Sequence, residues 1–151
     1  MMTVYNIRKE QFAKILSASG VANRWNSEEE FIIYTGSSIA LSALELIAHR
    51  SAIKIDHQYK LLSIDVQVEE KDIMEIKLSA LPLNWKFVIA YPELQKLGSD
   101  WYQNRKSLLL KVPSALVQNE FNYLINTKHR EFAQKVSIKS TENFEWYNRL
   151  L

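Results

Sequence analysis

The chain has 151 residues, 47% hydrophobic and 24% charged, with a formal net charge of +2 and no cysteine. That length and composition suit one globular domain with a sizeable core. The lack of cysteine excludes a disulfide scaffold, a thiolate metal site and cysteine catalysis, and it fits the cytoplasm. A net charge this small gives no ground for direct nucleic-acid binding.

The N-terminus, MMTVYNIRKEQF, lacks the long apolar core of a signal peptide, and no stretch reads as a membrane span. Thr3–Ile7 reads as a short strand. Lys9–Leu16 places Phe12, Ile15 and Leu16 on one face and reads as a helix, ended by Ser17-Ala18-Ser19-Gly20. Val21–Glu30 is polar and irregular around Trp25, and Phe31–Tyr34 is a candidate buried strand. After Thr35-Gly36-Ser37, residues Ser38 to Arg50 read as a helix, with Ser37 or Ser38 as its cap. Ser51–His57 is a connector. Tyr59–Val68 alternates: Leu62, Ile64, Val66 and Val68 face one side, and Ser63, Asp65 and Gln67 the other, as in a half-buried strand. Ile73–Leu78 reads as another strand. Pro82 sits in a loop, and Pro92 suits the first turn of a helix running to about Arg105. Leu108–Val112 is a continuous apolar strand stopped by Pro113. Ser114–Val117 and Phe121–Ile125 are short elements, and Lys135–Lys139 is a last strand. The mixture predicts a single α+β domain over residues 1–151.

Residue chemistry singles out Glu45. Between Ile39 and Ala48 the only polar residues are Ser42 and Glu45, three apart and so on one helix face. A helix this apolar predicts burial, which carries a carboxylate to the edge of the interior, where it needs a partner. A structural ion pair would serve as well as a catalytic role. His49, one turn later, is a candidate partner, although a surface place near the helix end suits it equally. Arg24, in Asn23-Arg24-Trp25-Asn26, has a guanidinium that can grip phosphate bidentately or a stem that can pack on Trp25. Tyr34 can stack on a planar ring or serve as rim packing. Ser107 can bind phosphate or simply begin the strand. Glu28-Glu29-Glu30 reads as a solvated loop. His49, His57 and His129 lack metal-ligand spacing, so no metal is expected. With only Gly20, Gly36 and Gly98, no glycine-rich phosphate loop can be written.

In order, the chain carries Val4-Tyr5-Asn6-Ile7, Asn23-Arg24-Trp25-Asn26, Tyr34-Thr35, Ala43-Leu44-Glu45, Leu109-Leu110-Lys111-Val112-Pro113-Ser114 and Glu120-Phe121-Asn122-Tyr123-Leu124-Ile125-Asn126. This series resembles the RES domain, a bacterial family named for its Arg, Glu and Ser, over nearly the whole chain. The resemblance implies an ADP-ribosyltransferase-like fold of mixed sheets with surrounding helices. It implies the toxin of a type II toxin–antitoxin pair, partnered by an Xre-type helix-turn-helix antitoxin. The implied activity is degradation of NAD as a phosphorylase or glycohydrolase, with NAD as substrate, inorganic phosphate as a possible co-substrate and no cofactor. ADP-ribosyl transfer to a macromolecule and a catalytically weakened NAD-binding module are the alternatives.

Residue by residue, Arg24 matches the family's loop Arg, Tyr34 its strand-end Tyr, Glu45 its helix Glu and Asn122 an Asn lining the pocket. Ser107, just before the Leu-rich strand, is assigned as its Ser; Ser114 is the competitor, and it also suits a helix cap. Two departures fall where NAD phosphates are expected: Asn6 stands at a position that is typically Arg, and Ala22-Asn23 replaces a pair of glycines. Arg8, two residues along the same strand face, is a candidate to compensate for Asn6.

Overall fold

A computed structural model describes residues 1–48, 53, 57–147 and 150. Its strands are β1 (Met2–Lys9), β2 (Ile32–Gly36), β3 (Tyr59–Val66), β4 (Ile73–Glu75), β5 (Leu109–Pro113), β6 (Phe121–Asn126) and β7 (Val136–Phe144). The α-helices among the described residues are α1 (Ile39–Ala48), α2 (Tyr91–Asn104) and the single turn α3 (Phe132–Lys135). The strands form one mixed sheet in the order β4-β5-β6-β2-β1-β3-β7, in which only β4 and β5 run parallel.

The sheet is two ribbons joined at a narrow seam. On one side, β1 pairs with β3 along its whole length, from Met2↔Val66 to Lys9↔Tyr59. On the other, β2 pairs with β6 from Ile32↔Asn126 to Gly36↔Asn122. Between them, β1 and β2 share a single register pair, Tyr5↔Gly36. The Asn6 side chain adds one more link, its amide donating to the Tyr34 carbonyl at 2.7 Å.

Strand alternation assigns the two faces. Val4, Ile33, Leu62, Ile64, Leu109 and Ile125 build one core across the seam, with Ala13, Leu16 and Phe132 against it. On the opposite face, α2 packs Leu94, Trp101 and Tyr102 onto Ile32, Leu110, Val112 and Leu124, together with Trp25 and Trp85. Also on this face, Ala43 and Leu46 of α1 pack with Tyr5, Ile7, Tyr59 and Leu61 of the other ribbon. The space between α1 and the loop held by α2 therefore opens directly over the seam.

Two expectations change. The segment Lys9–Leu16 is not a helix but a single 3₁₀ turn at Glu10–Phe12. The Arg8 guanidinium takes the carbonyls of Phe12 and Ser17, the first of which a continuing helix would need for its own ladder. Ala13 turns inward while Phe12 and Ile15 stay exposed. The apolar helix α1 is also less buried than its composition predicts. It lies on β1 and β2, so Leu41 and Ser42 are covered whereas Ile39 and Leu44 are each 42% exposed. The predicted span to Arg50 runs past Ala48 into residues outside those described. Among the described residues, no helix is long and apolar enough to cross a membrane.

A candidate active-site cleft at the seam

The position of α1 is fixed at its first turn. Ser38 caps the helix, its hydroxyl accepting the Leu41 N–H at 3.0 Å. Ser42 then donates to the Tyr5 carbonyl of β1 at 2.8 Å, which pins the helix to the strand. Gly36 makes the approach possible: a Cβ there would lie 2.6 Å from the Ser42 hydroxyl and 2.9 Å from its backbone nitrogen. One turn beyond Ser42, Glu45 is brought half-buried to the seam.

Glu45 is held by two donors on one oxygen. Asn122 Nδ2, from β6, donates to Oε1 at 2.8 Å, and Ser114 Oγ, just past β5, donates to the same atom at 3.3 Å. Ser114 also accepts the N–H groups of Leu116 and Val117, each at 3.1 Å, and so caps the turn after β5. Among the described residues, Glu45 Oε2 takes no protein hydrogen bond, since both donors meet Oε1. Asn122 is 9% exposed, and its Oδ1 is a buried acceptor without a protein partner. Turning the amide over would satisfy nothing, because it would set oxygen against the carboxylate.

The opposite wall is the loop Asn23–Asn26. Gly98 of α2 lets it approach; a Cβ at that position would fall 1.7 Å from the Trp25 carbonyl oxygen. Gln95 of α2 donates to the Asn23 carbonyl at 2.8 Å. The Tyr34 hydroxyl accepts the Trp25 N–H at 3.0 Å and donates to Asn26 Oδ1 at 2.6 Å. Burial pushes the Tyr34 phenol well above its ordinary value, so it works as a neutral bridge rather than an acid or base. Arg24 Nη1 donates to the carbonyls of Trp85 and Lys86, both at 3.1 Å, and the guanidinium lies over the Tyr91 ring at 5.0 Å and the Trp85 ring at 5.9 Å. Trp25, beside it in sequence, is a core residue at 2% exposure.

The cleft has two lobes that share Asn23, Tyr34, Glu45 and Asn122. One, of about 180 Å³, is lined by Tyr5, Asn6, Thr35, Ser42 and Leu46 as well. The other, of about 290 Å³, adds Arg24, Tyr91, Val88 and Leu116. A carboxylate thus faces a guanidinium stacked on an aromatic ring across a cavity walled by a tyrosine, a suitable set for binding a flat cationic group next to phosphate.

Of the residues singled out in the sequence, the structure gathers Glu45, Arg24, Tyr34, Asn122 and Asn6 around this cleft. Ser107 lines neither lobe. It precedes β5, whereas Glu45 meets the residue that follows β5, so the length of the strand separates the two. Ser107 is buried and accepts the Trp101 indole N–H at 3.0 Å. Ser114, the competitor, is the serine that meets Glu45. Arg8 also lies apart, lining a neighbouring cavity rather than either lobe. His49 lies outside the described residues. Glu28 and Glu29 are solvated as expected, but Glu30 is buried and accepts from the Ser27 N–H and the Ser99 hydroxyl. The sequence reading missed Tyr91 and Asn23 as cleft residues. Nothing local marks them, because the pairing of loop and helix that recruits them is tertiary.

The RES domain family matches residues 3–147. "Toxin Res" of Yersinia enterocolitica is 31% identical over 133 residues, covering 88% of this chain and 86% of that protein. "Prs ADP-ribosylating toxin" of a Sphingobium species is 34% identical over 118 residues, covering 76% and 73%. A chain of the M. tuberculosis MbcT–MbcA toxin–antitoxin complex superposes with a TM-score of 0.76 at 17% identity, covering 95% of this chain and 84% of that one. The expected α+β fold of ADP-ribosyltransferase type is therefore the fold observed. With a match over nearly its whole length, the chain belongs to the RES domain family.

Proposed function

We propose that the chain is the toxin of a toxin–antitoxin pair and that it breaks the nicotinamide–ribose bond of NAD, as a phosphorylase or glycohydrolase. One observation carries this reading: Glu45 sits in the cleft with one oxygen fixed by Asn122 and Ser114 and the other free, opposite Tyr34 and Arg24.

The chemistry asks little of an acid. The C1′–N bond breaks with its electron pair going to the nicotinamide nitrogen, which leaves neutral. The ribosyl fragment carries positive charge in the transition state, and the free Glu45 oxygen accepts the 2′-hydroxyl and stabilises that charge. Asn122 and Ser114 hold the carboxylate in place beforehand. Tyr34 provides the ring face against nicotinamide or ribose. Arg24, with Nη1 anchored, directs its remaining donors at the pyrophosphate. Water or phosphate then adds at C1′ and loses a proton. Phosphate yields a phosphorylated ADP-ribose, and water yields ADP-ribose.

The test is nicotinamide release from NAD by purified protein, with and without phosphate. Fast release without a protein acceptor supports the reading, and dependence on phosphate identifies the phosphorylase. ADP-ribosyl transfer to a macromolecule is the second reading, favoured by the likeness to the Sphingobium toxin. Radiolabel passing from NAD to a protein would select it. No release under any condition would leave a weakened NAD-binding module.

The proposed partner is an Xre-type antitoxin, and the proposed compartment is the cytoplasm, where NAD is available. Phe87, Val88 and Ile89 are 67–77% exposed, and Val88 lines the second lobe, an apolar rim that suits a covering protein. Co-expression with the antitoxin should relieve growth arrest, and the two should co-purify.

A further inference from the structure

We propose that Arg8, with the hydroxyls of Ser17 and Ser19, forms a second binding site, for a phosphoryl oxyanion, on the far side of the β1–β2 seam from Glu45.

The cavity is about 410 Å³ and is lined by Asn6, Arg8, Phe12, Ser17, Ser19 and Ile33, among others. Ile33 belongs to the core on the face opposite α1, and alternation puts Arg8 on that face with Val4. Every protein acceptor on Arg8 is neutral: Nε donates to Asn6 Oδ1 at 2.7 Å, and Nη1 to the carbonyls of Phe12 at 3.3 Å and Ser17 at 3.0 Å. Among the described residues, no carboxylate lies within ion-pair distance of it. The Arg8 side chain is partly buried, and that desolvation lowers the pKa of the guanidinium. A partly desolvated cation without a counter-charge gains from an anion placed beside it.

The geometry leaves a place for one. Nε and Nη1 are committed to the protein, which fixes the plane of the guanidinium. The N–H groups of Nη2 remain; they diverge from one nitrogen, so one of them can give an oxyanion a single charge-assisted bond. Asn6 sets the orientation, because the same amide that receives Nε donates to the Tyr34 carbonyl. Both serines are exposed; among the described residues neither hydroxyl donates to the protein, and Ser19 Oγ accepts a long bond from the Val21 N–H at 3.3 Å, so both can donate to a ligand. Phosphate and the phosphoryl end of a nucleotide share the required chemistry. Acetate-like anions fill less of the cavity and use fewer donors.

Calorimetric titration of inorganic phosphate, and separately of ADP, into the full chain at constant ionic strength tests this, with Arg8→Lys as the variant. Phosphate should bind at millimolar concentrations or below and weaken about tenfold or more in Arg8→Lys, which keeps the charge but loses the anchored guanidinium plane that aims Nη2. Binding of ADP without phosphate binding supports the same site, with the nucleotide as the source, only where it too weakens in Arg8→Lys; ADP binding that is unchanged in Arg8→Lys belongs to the Glu45 cleft and overturns the proposal. Heat that is absent for both ligands, or unchanged in Arg8→Lys, would overturn the proposal. Should Arg8→Lys unfold, the side-chain Nε–H resonances of the wild-type protein decide. A phosphate-induced shift of the Arg8 signal supports the site, and shifts confined to other arginines reject it. Nicotinamide release is measured separately and reports on the Glu45 cleft, so either idea can fail alone.

Discussion

Glu45 and the two serines at the ends of β5 make the sharpest contrast at the level of single residues. Glu45→Gln keeps the size of the side chain and its contact with Asn122 but removes the charge. Nicotinamide release should fall about 10²-fold or more with little change in Tm, comparable to removing one preorganised electrostatic group. Near-normal turnover in a folded variant would end the catalytic assignment. Ser114→Ala removes a donor to Glu45 and a turn cap, so it should lower kcat while leaving most of the fold intact. Ser107→Ala should do the reverse. It strands the buried Trp101 indole N–H, a loss of roughly 1–3 kcal/mol, and leaves turnover per folded molecule unchanged. Measuring kcat and Tm for both variants separates the two. The sequence supplied Glu45, because a lone carboxylate on an apolar helix is visible as such. It did not separate the serines. Both flank the same apolar strand, and only the strand's direction in the sheet says which end meets α1.

Elements follow the same division between local and tertiary signals. β3 and α2 were legible because alternation and a first-turn proline are local. The segment after β1 was not, because Arg8 captures the carbonyls that a helix there would use. The contact between Asp72 and Lys135 is likewise invisible in sequence, and it ties the entrances of the two edge strands, β4 and β7. Burial would raise the Asp72 carboxyl, but the Glu69 N–H at 2.9 Å and the Lys135 ammonium at 2.9 Å outweigh it and hold the group below its ordinary value. A depressed carboxyl stabilises the fold fully above its unfolded pKa and loses that contribution as pH falls through the folded value. Asp72→Asn should therefore have a lower Tm than the wild type at neutral pH. The gap should close on acidification below the carboxylate range, as thermal melts across pH would show. A gap independent of pH would mean that packing, and not charge, joins the two entrances.

At the scale of the whole molecule, the seam between β1 and β2 explains why the cleft lies where it does and why Asn6 matters. The two ribbons share one register pair, so the Asn6 side chain stands in for a missing rung by bonding Tyr34 on one side and Arg8 on the other. Replacing it tests two roles at once. Asn6→Ala and Asn6→Arg both lose these bonds, and both should lower Tm by a few degrees, as expected for one or two lost hydrogen bonds in a chain of this size. Only Asn6→Arg restores the residue type that the family resemblance leads one to expect near NAD phosphates. If that position faces the phosphates, the new charge-assisted bond is worth ~1.5–3 kcal/mol, so NAD should bind roughly tenfold to a hundredfold more tightly. Calorimetric titration of NAD into both variants, each carrying Glu45→Gln to stop turnover, reads this directly. A gain in Asn6→Arg alone would show that this chain gave up phosphate affinity for a clamp across its own seam. Equal affinity in both variants would leave Asn6 as a clamp only, with Arg24 alone to hold the pyrophosphate.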